Sequence, residues 1–269
     1  PGLILAPGWS QIPEVGLALA AKAAKINGVY SAMALLDLDT AKAKKYTDTK
    51  SVKEESGYTS PFCYPLWPCD RVGEYILAKS AVAGAMIQYM ASDNEDVPNQ
   101  SPSNHLLGVG GQCLEDGTEV YLDQDQANTV NGYGVTTAIN QNGYRLWGNY
   151  TGAYPASSDA KDIWFAVRRM FSWQGNNFIQ TYFDEVDDPM NNVLVQSVVD
   201  SENIRCSAYA PKYWAGASIE YKSDDNPKTA ILAGTMKFRQ HIAPYTPAQE
   251  IVDIIDYDTD TLAAAVGGN

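Results

Sequence analysis

Short apolar runs alternate with Ala-rich and Lys-rich stretches through the N-terminal half of this chain, and that alternation leaves few folds open. LILAPG (Leu3–Gly8) and GVYSAMALLDL (Gly28–Leu38) have the continuous apolar character of buried strands. Between them, IPEVGLALAAKAAKI (Ile12–Ile26) is rich in the good helix formers Ala and Leu. TAKAKKYTDTKSVKEE (Thr40–Glu55) reads as a polar helix and SPFCYPLWPC (Ser60–Cys69) as a proline-interrupted strand or loop. VGEYILAKSAVAGAMIQYMASD (Val72–Asp93) reads as one long apolar helix. Buried strands separated by helices predict a mostly parallel sheet covered by helices. EDVPNQSPSNHLLGVGG (Glu95–Gly111), rich in Pro, Ser, Asn and Gly, then marks a long ordered loop or a domain connection.

The second half is patterned differently. A short helix near Asp123–Gly132 precedes two short strands, VTTAIN (Val135–Asn140) and YRLWGN (Tyr144–Asn149), and the Asn142-Gly143 pair between them signals a tight hairpin. Ser158 or Asp159 is a good N-cap for a helix whose Ile163, Val167, Met170 and Phe171 recur at helical spacing. Asn191–Cys206 predicts a further helix, broken at Ser201-Glu202-Asn203. Residues 207–223 and 229–258 alternate apolar and polar side chains as strands do, and the tail from Thr259 reads as mobile. In the YRLWGN strand, alternation puts Tyr144, Leu146 and Gly148 on one face and Arg145, Trp147 and Asn149 on the other. A dry core rejects Arg145 and Asn149. Both faces are therefore expected to meet protein, with Arg145 needing a carboxylate or backbone carbonyl.

Composition narrows the function classes. A chain of 269 residues with 45% hydrophobic content suffices for one or two domains. The formal net charge of −13 repels nucleic-acid phosphates, so direct DNA or RNA binding is disfavoured. The one Lys-rich run, Ala41–Lys53, reads as a solvated surface. No apolar run approaches a membrane span, and no membrane insertion is expected. No signal peptide opens the chain; it begins at once on a core strand, and the expectation is of a chain trimmed at its start. Cys63 and Cys69 are spaced to close a small loop disulfide, although reduced thiols are the better expectation for a protein made in a cytosol. With His105 and His241 as the only histidines, and neither at ligand spacing from a cysteine, no metal is expected.

Motifs for catalysis are missing as well. There is no GxSxG elbow for a Ser–His–Asp hydrolase. GVGGQC (Gly108–Cys113) lacks the spacing of a phosphate loop, so no nucleotide cofactor is expected. The acidic runs at Asp184–Asp188 and Asp253–Asp260 sit where solvated loops are common. A well-patterned chain without convergent chemistry points to a structural or interaction protein rather than an enzyme. Two alternatives are an α/β hydrolase acting through His241, and a carbohydrate-binding surface protein with Trp147, Trp164 or Trp214 as sugar platforms.

Several stretches read together resemble one family. GVTTAINQNGYRLWGNYT (Gly134–Thr151) is similar to the marker segment of contractile tail sheath proteins, the proteins of myophages, R-type pyocins and related contractile injection systems. The opening Pro1–Asp37, the SPSN…GVGG loop, the helix at Asp162–Phe183 and the closing strands at Ile204–Lys222 and Met236–Asp258 also resemble sheath segments, so the likeness covers nearly the whole chain. Two departures stand out: the family's N-terminal part, with its extended arm, has no counterpart before Pro1, and the family's arginine after WGN is Tyr150 here.

The resemblance implies an α/β fold of mixed sheets flanked by helices, in two lobes with a C-terminal strand-forming arm. The expected parts are an outer lobe at 1–128, an inner tube-facing lobe at 129–250 and a linking arm at 251–269. It implies a structural subunit that forms sheath rings or a helix around a tail tube protein and meets baseplate and tail terminator proteins. Such a particle is a virion tail or contractile machine made in the bacterial host cytoplasm. Arms that add strands to a neighbour's sheet tie such subunits together, and Ile251, Asp253, Ile255 and Tyr257 suit that job or an edge strand of their own lobe. Arg145, Trp147 and Asn149 are the other subunit-interface candidates.

Overall fold

The computed structural model describes residues 2–267; Pro1 and the last two arm residues, Gly268 and Asn269, lie outside the described residues. The N-terminal half runs β1 (Leu3–Leu5), α1 (Pro13–Ala24), β2 (Met33–Asp37), α2 (Thr49–Ser56), β3 (Cys63–Leu66), β4 (Cys69–Val72), β5 (Tyr75–Leu77), α3 (Lys79–Ser92) and β6 (Gly111–Cys113). The remainder runs α4 (Gln124–Gly132), β7 (Thr137–Asn140), β8 (Tyr144–Trp147), α5 (Ala160–Ile163), α6 (Phe165–Thr181), α7 (Asn192–Tyr209), β9 (Trp214–Glu220), α8 (Lys228–Leu232), β10 (Arg239–Pro244) and α9 (Thr259–Ala265).

The expected parallel sheet is present as β1–β2–β3, with β2 central and buried at every position. Its side chains alternate between two cores. Ala34 and Leu36 pack with Ala20 and Ala23 of α1, while Met33 and Leu35 pack with Ala83, Met86 and Ile87 of α3. A strand covered on both faces is apolar along its length, which is why Met33–Leu36 carry no alternation before the hydrogen-bonded Asp37 ends the strand. The other sheets are antiparallel: β5–β4–β6, the β7–β8 hairpin and the β9–β10 pair. Asn142 (φ 53°) and Gly143 (φ 108°) make the hairpin turn.

Several local expectations are corrected. Tyr75–Leu77 form β5, not the first turns of a long helix, because Gly73 (φ 60°) reverses the chain and α3 begins only at Lys79. Residues 40–45 form a turn and irregular backbone where helix was expected, and α2 starts only at Thr49. Asp159 caps α5 by accepting from Lys161 N at 2.9 Å, but Trp164 is extended and separates α5 from α6. The expected break in α7 is absent: Ser201 donates to Ser197 O at 2.6 Å within the helix. Lys228–Leu232 is a helix where strand was expected. Val130, Val135, Leu146 and Phe165, which follow the lobe boundary expected at residue 128, pack in the two cores of the parallel sheet. A third core of Met170, Trp173, Cys206, Tyr213 and Trp214 joins α6, α7 and β9, so the hydrophobic division lies along α6.

Three buried polar knots fasten these layers. Asp37, at the end of β2, accepts from Ser80 N at 2.8 Å, from Ser80 Oγ at 2.5 Å and from Ser10 Oγ at 2.9 Å, so one carboxylate holds the first βα turn and the start of α3. Glu202 of α7, fully buried, accepts from Gln174 Nε2 of α6 at 2.5 Å and Gln240 Nε2 of β10 at 3.0 Å, and pairs with Arg205. Lys53 of α2 donates to Tyr133 O at 2.9 Å and Tyr154 O at 2.5 Å.

Removing one member of a buried pair strands its partners, so Glu202→Ala is expected to cost about 3–5 kcal/mol, read by urea unfolding. Burial lowers the Lys53 pKa from 10.5 to about 8. Between those values the unfolded chain keeps a proton that the folded chain has shed, so this lysine's contribution to stability rises with pH, by at most about 1.4 kcal/mol per unit. The stability of the wild type minus that of Lys53→Met should therefore grow between about pH 7 and about pH 9.5; a flat or falling difference would contradict the assignment.

Candidate subunit-linking surface

The strand β8 is closed on both edges. One edge pairs with β7 in the register Thr137↔Trp147 to Asn140↔Tyr144. The other is occupied by the 104–107 segment, through Asn104 N to Leu146 O (2.6 Å), Leu146 N to His105 O (2.9 Å) and Leu107 N to Tyr144 O (2.9 Å). Tyr144 and Leu146 are buried, Leu146 against Tyr64, Leu66 and Phe165. At Gly148 (φ 151°) a Cβ would overlap Thr136, and the Gly148 carbonyl accepts from Tyr64 OH at 2.6 Å.

The outward side chains of this segment are also engaged within the chain. Arg145 donates from Nε to Gln141 O at 3.1 Å and from Nη1 to Asn104 O at 2.8 Å, so backbone carbonyls supply the partner that it required. Trp147 Nε1 donates to Asn128 Oδ1 at 2.8 Å. Asn149 is buried, its N–H donates to Asn131 Oδ1 at 3.3 Å and its carbonyl accepts from Phe165 N at 2.9 Å. Asn149 is thus an internal strut rather than a surface group. Tyr150 stacks on Tyr154 (3.8 Å, 6°) and Trp164 (4.7 Å, 24°), and its hydroxyl donates to Gln249 Oε1 at 2.6 Å.

That last bond tethers the C-terminal segment. Past it, residues 250–258 carry no regular structure and stand in solvent: Ile251 is 88% exposed, Ile255 87% and Tyr257 76%, with Asp253 exposed among them. Asp258 then caps the short α9 by accepting from Thr261 N at 2.9 Å. A run of exposed isoleucines with an unpaired backbone is the kind of surface that marks an interaction site. The β9–β10 ladder supplies a second open surface, a shallow depression of about 440 Å³ lined by small side chains from Ala215 to Ser218 and by His241, Ile242 and Ala243. On β9, Asn203 of α7 closes the outer edge at Ile219 by bonding both its N–H and its carbonyl at 3.0 Å.

The groups weighed for chemistry do not assemble. His241 bonds Glu220 at 3.0 Å on exposed β10, and Ser218 lies opposite it in the ladder, but no hydrogen bond joins Ser218 to His241 among the described residues. All four cysteines are free. Burial pushes the thiols of Cys63 and Cys69 up to about 12 and that of Cys206 up to about 11, so none is a ready thiolate near neutral pH. Burial also lowers the pKa of His105, beside Arg145. No cluster of three His, Cys, Asp or Glu suited to a metal occurs among the described residues, and no helix there is long and apolar enough to cross a membrane. Of the tryptophans weighed as sugar platforms, Trp214 is fully buried, Trp164 is half-buried with Tyr150 stacked on it, and Trp147 is half-buried with its Nε1 bonded to Asn128.

Glu202 was not singled out by the sequence pattern, although Val198, Glu202 and Cys206 recur at the helical spacing of a buried face. The Tyr150–Gln249 tether had no local signal, since its members lie 99 residues apart.

No protein-family model matches the chain. It is 27% identical over 197 residues to the major tail sheath protein of Serratia phage KSP20, covering 70% of this chain and 48% of that protein. It is 23% identical over 215 residues to the tail sheath protein of Escherichia phage P2, covering 75% of this chain and 52% of the relative. The chain thus spans about half the length of the curated relatives it matches. Among solved structures, the contracted sheath complex of the extracellular contractile injection system PVC superposes with a TM-score of 0.76 at 17% identity, over 96% of this chain and 71% of that one. A chain of the anti-feeding prophage baseplate superposes with a TM-score of 0.74 at 19% identity, over 96% and 69%. The chain is related in sequence to tail sheath proteins and has the fold found in contractile sheath structures. Arg145→Ala, which removes two bonds to backbone carbonyls without touching any reactive group, is expected to lower unfolding stability by about 1–2 kcal/mol.

Proposed function

We propose that this chain, with the fold of sheath structures and phage tail sheath relatives, serves in a contractile sheath subunit. In that role copies stack as rings or a helix around a tail tube, meet baseplate and terminator proteins, and contract to drive the tube through a target envelope. The particle is a virion tail or injection machine assembled in the host cytoplasm. The unit of α6, α7, β9 and β10 is taken as the tube-facing lobe, the parallel sheet and its helices as the outer lobe, and residues 251–269 as the linking arm.

The observation that carries the reading is the unpartnered segment at 250–258. Its isoleucines and tyrosine are almost fully exposed in the isolated chain, whereas Trp214 and Ile219 of β9 and Val198 and Cys206 of α7 are buried. Burying one Ile or Val side chain contributes about 1.5–3 kcal/mol, and ordering each backbone residue costs about 1–2 kcal/mol. These nearly cancel, so main-chain pairing decides whether the segment is ordered. An open sheet edge on a neighbouring subunit supplies that pairing. Asn203 covers β9 at Ile219, and β10, the other strand of that pair, is taken as the edge that receives the segment. Arg145, Trp147 and Asn149 then support the link from within, by holding the hairpin that carries Tyr150 and its tether to Gln249.

The test is electron microscopy of the full-length protein co-expressed with its tube protein, intact and truncated after Glu250. The intact protein should form sheath-like tubes or rings. The truncated protein should form none, while its unfolding stability stays within about 1 kcal/mol of the parent, as for removal of an exposed surface. Failure of the intact protein to assemble would sink the reading; assembly by the truncated protein would remove the arm from it.

A further inference from the structure

Cys69 opens β4 and Cys113 closes β6, and the two stand directly opposite each other in the antiparallel register. Residues opposite each other in such a pair project to the same face of the sheet, with Cα atoms about 4.5–5.5 Å apart. A disulfide asks for Cα atoms about 4.4–6.8 Å apart and Cβ atoms about 3.5–4.5 Å apart. This ladder is drawn close. One pair further along the same face, a Cβ at Gly111 would lie 4.0 Å from the Arg71 Cβ.

Both thiols are free. The other two cysteines are committed elsewhere. Cys63 lies in the parallel sheet, where its thiol donates to Ser60 O at 3.1 Å and fills the space that a Cβ at Gly152 would need. Cys206 packs in the third core with Trp173 and Trp214. The fold therefore sets Cys69 opposite Cys113 and not opposite Cys63, although spacing alone suggested the latter. Cys113 is buried, but Cys69 is half-buried and lines an open depression of about 280 Å³ together with Gly8, Gln11 and Thr40. A small oxidant reaches the pair from that side. We propose that Cys69 and Cys113 are a site of reversible oxidation, closing to a disulfide across β4 and β6 when the protein meets a peroxide.

The Cys69 thiolate attacks one oxygen of hydrogen peroxide, the O–O bond breaks, and the sulfur becomes a sulfenic acid as hydroxide leaves. The Cys113 thiolate then attacks the Cys69 sulfur and expels the second hydroxide. The two hydroxides take up the two thiol protons. Two thiols and one peroxide thus give one disulfide and two waters, with the sulfurs oxidised by two electrons and the peroxide reduced by two. Burial, with the nearby charges of Asp37 and Cys113, raises the Cys69 thiol to about 12. The thiolate is therefore scarce near neutral pH, and the reaction quickens about tenfold per pH unit below that value. The bond closes a loop that holds α3 and the 104–107 segment covering β8, and this constraint raises the melting temperature by roughly 5–10 °C.

The test is peroxide treatment of the full chain at about pH 8 and about pH 9, with thiol titration in denaturant and non-reducing peptide mapping by mass spectrometry. Two of the four thiols should disappear, about tenfold faster at the higher pH. One peptide should link Cys69 to Cys113, the melting temperature should rise, and dithiothreitol should reverse both changes. Cys113→Ser should stop at a Cys69 sulfenic acid that dimedone traps. Should that variant fail to fold, Cys69→Ser, at the half-buried position, should keep all its remaining thiols. Retention of every thiol in the parent, a Cys63–Cys69 link, or a link between two copies overturns the proposal. A Cys69–Cys113 link that leaves the melting temperature unchanged or lowers it was made by breaking the native ladder, and overturns it as well.

Discussion

The strand Tyr144–Trp147 has no free edge, and the rest of the structure depends on that. β7 takes one side and the 104–107 segment the other, so the backbone of the most aromatic stretch of the chain is paired internally. The residues just beyond the strand are engaged in the same way. The Gly148 carbonyl binds Tyr64 of β3, the Asn149 carbonyl receives the first N–H of α6, and Thr151 N donates to Ile163 O at 2.8 Å. The parallel sheet, the hairpin and the helical unit therefore meet along eight consecutive residues, Tyr144–Thr151. A side chain at Gly148 would overlap Thr136, so the approach of the residue before β7 to this segment is limited by a single missing Cβ.

Polar knots complement that spine where apolar packing alone leaves the layers free to slide. Hydrophobic contact is non-directional; a carboxylate that accepts three bonds is not. Asp37 aligns α3 with β2, and Glu202 aligns α6, α7 and β10. Burial raises the pKa of Asp37, opposed by the bonds from Ser80 and Ser10, so its ionised form depends on both hydroxyls staying in place. Both carboxylates sit where a shift of about one ångström would leave a buried charge unsatisfied, and register is set by that penalty.

Patterns that repeat over short distances were legible in the sequence. MALLD as a buried strand, the Asn142-Gly143 turn and the Asp159 cap all rest on neighbours within a few residues. The failures share a cause. Tyr75–Leu77 and Lys228–Leu232 are too short for periodicity to separate strand from helix. Ser201-Glu202-Asn203 looked like a helix break because those residue types favour caps and turns. Instead Ser201 bonds back to Ser197, Glu202 is stabilised by hydrogen bonds from α6 and β10, and Asn203 serves β9. Arg145 was legible as a residue in need of a partner, but not which one, since Asn104 lies 41 residues away.

The tether at Gln249 sets how far the exposed segment can act. From Glu250 to Asp258 there are nine residues, and a fully extended chain spans about 3.3–3.6 Å per residue, or roughly 30 Å, about the width of a small domain. In the proposed assembly that reach confines the arm to an immediately adjacent subunit. It also leaves slack, because a docked strand of five or six residues uses only part of the length. A rigid body tied to its neighbour by a paired strand on a short free leash can rotate without breaking the pairing, whereas an interface built from the closed β8 strand would have to be unmade. The division between a chain that satisfies its marker strand internally and one that leaves its last apolar run unpaired is therefore what a subunit needs if it is to change its packing while staying linked.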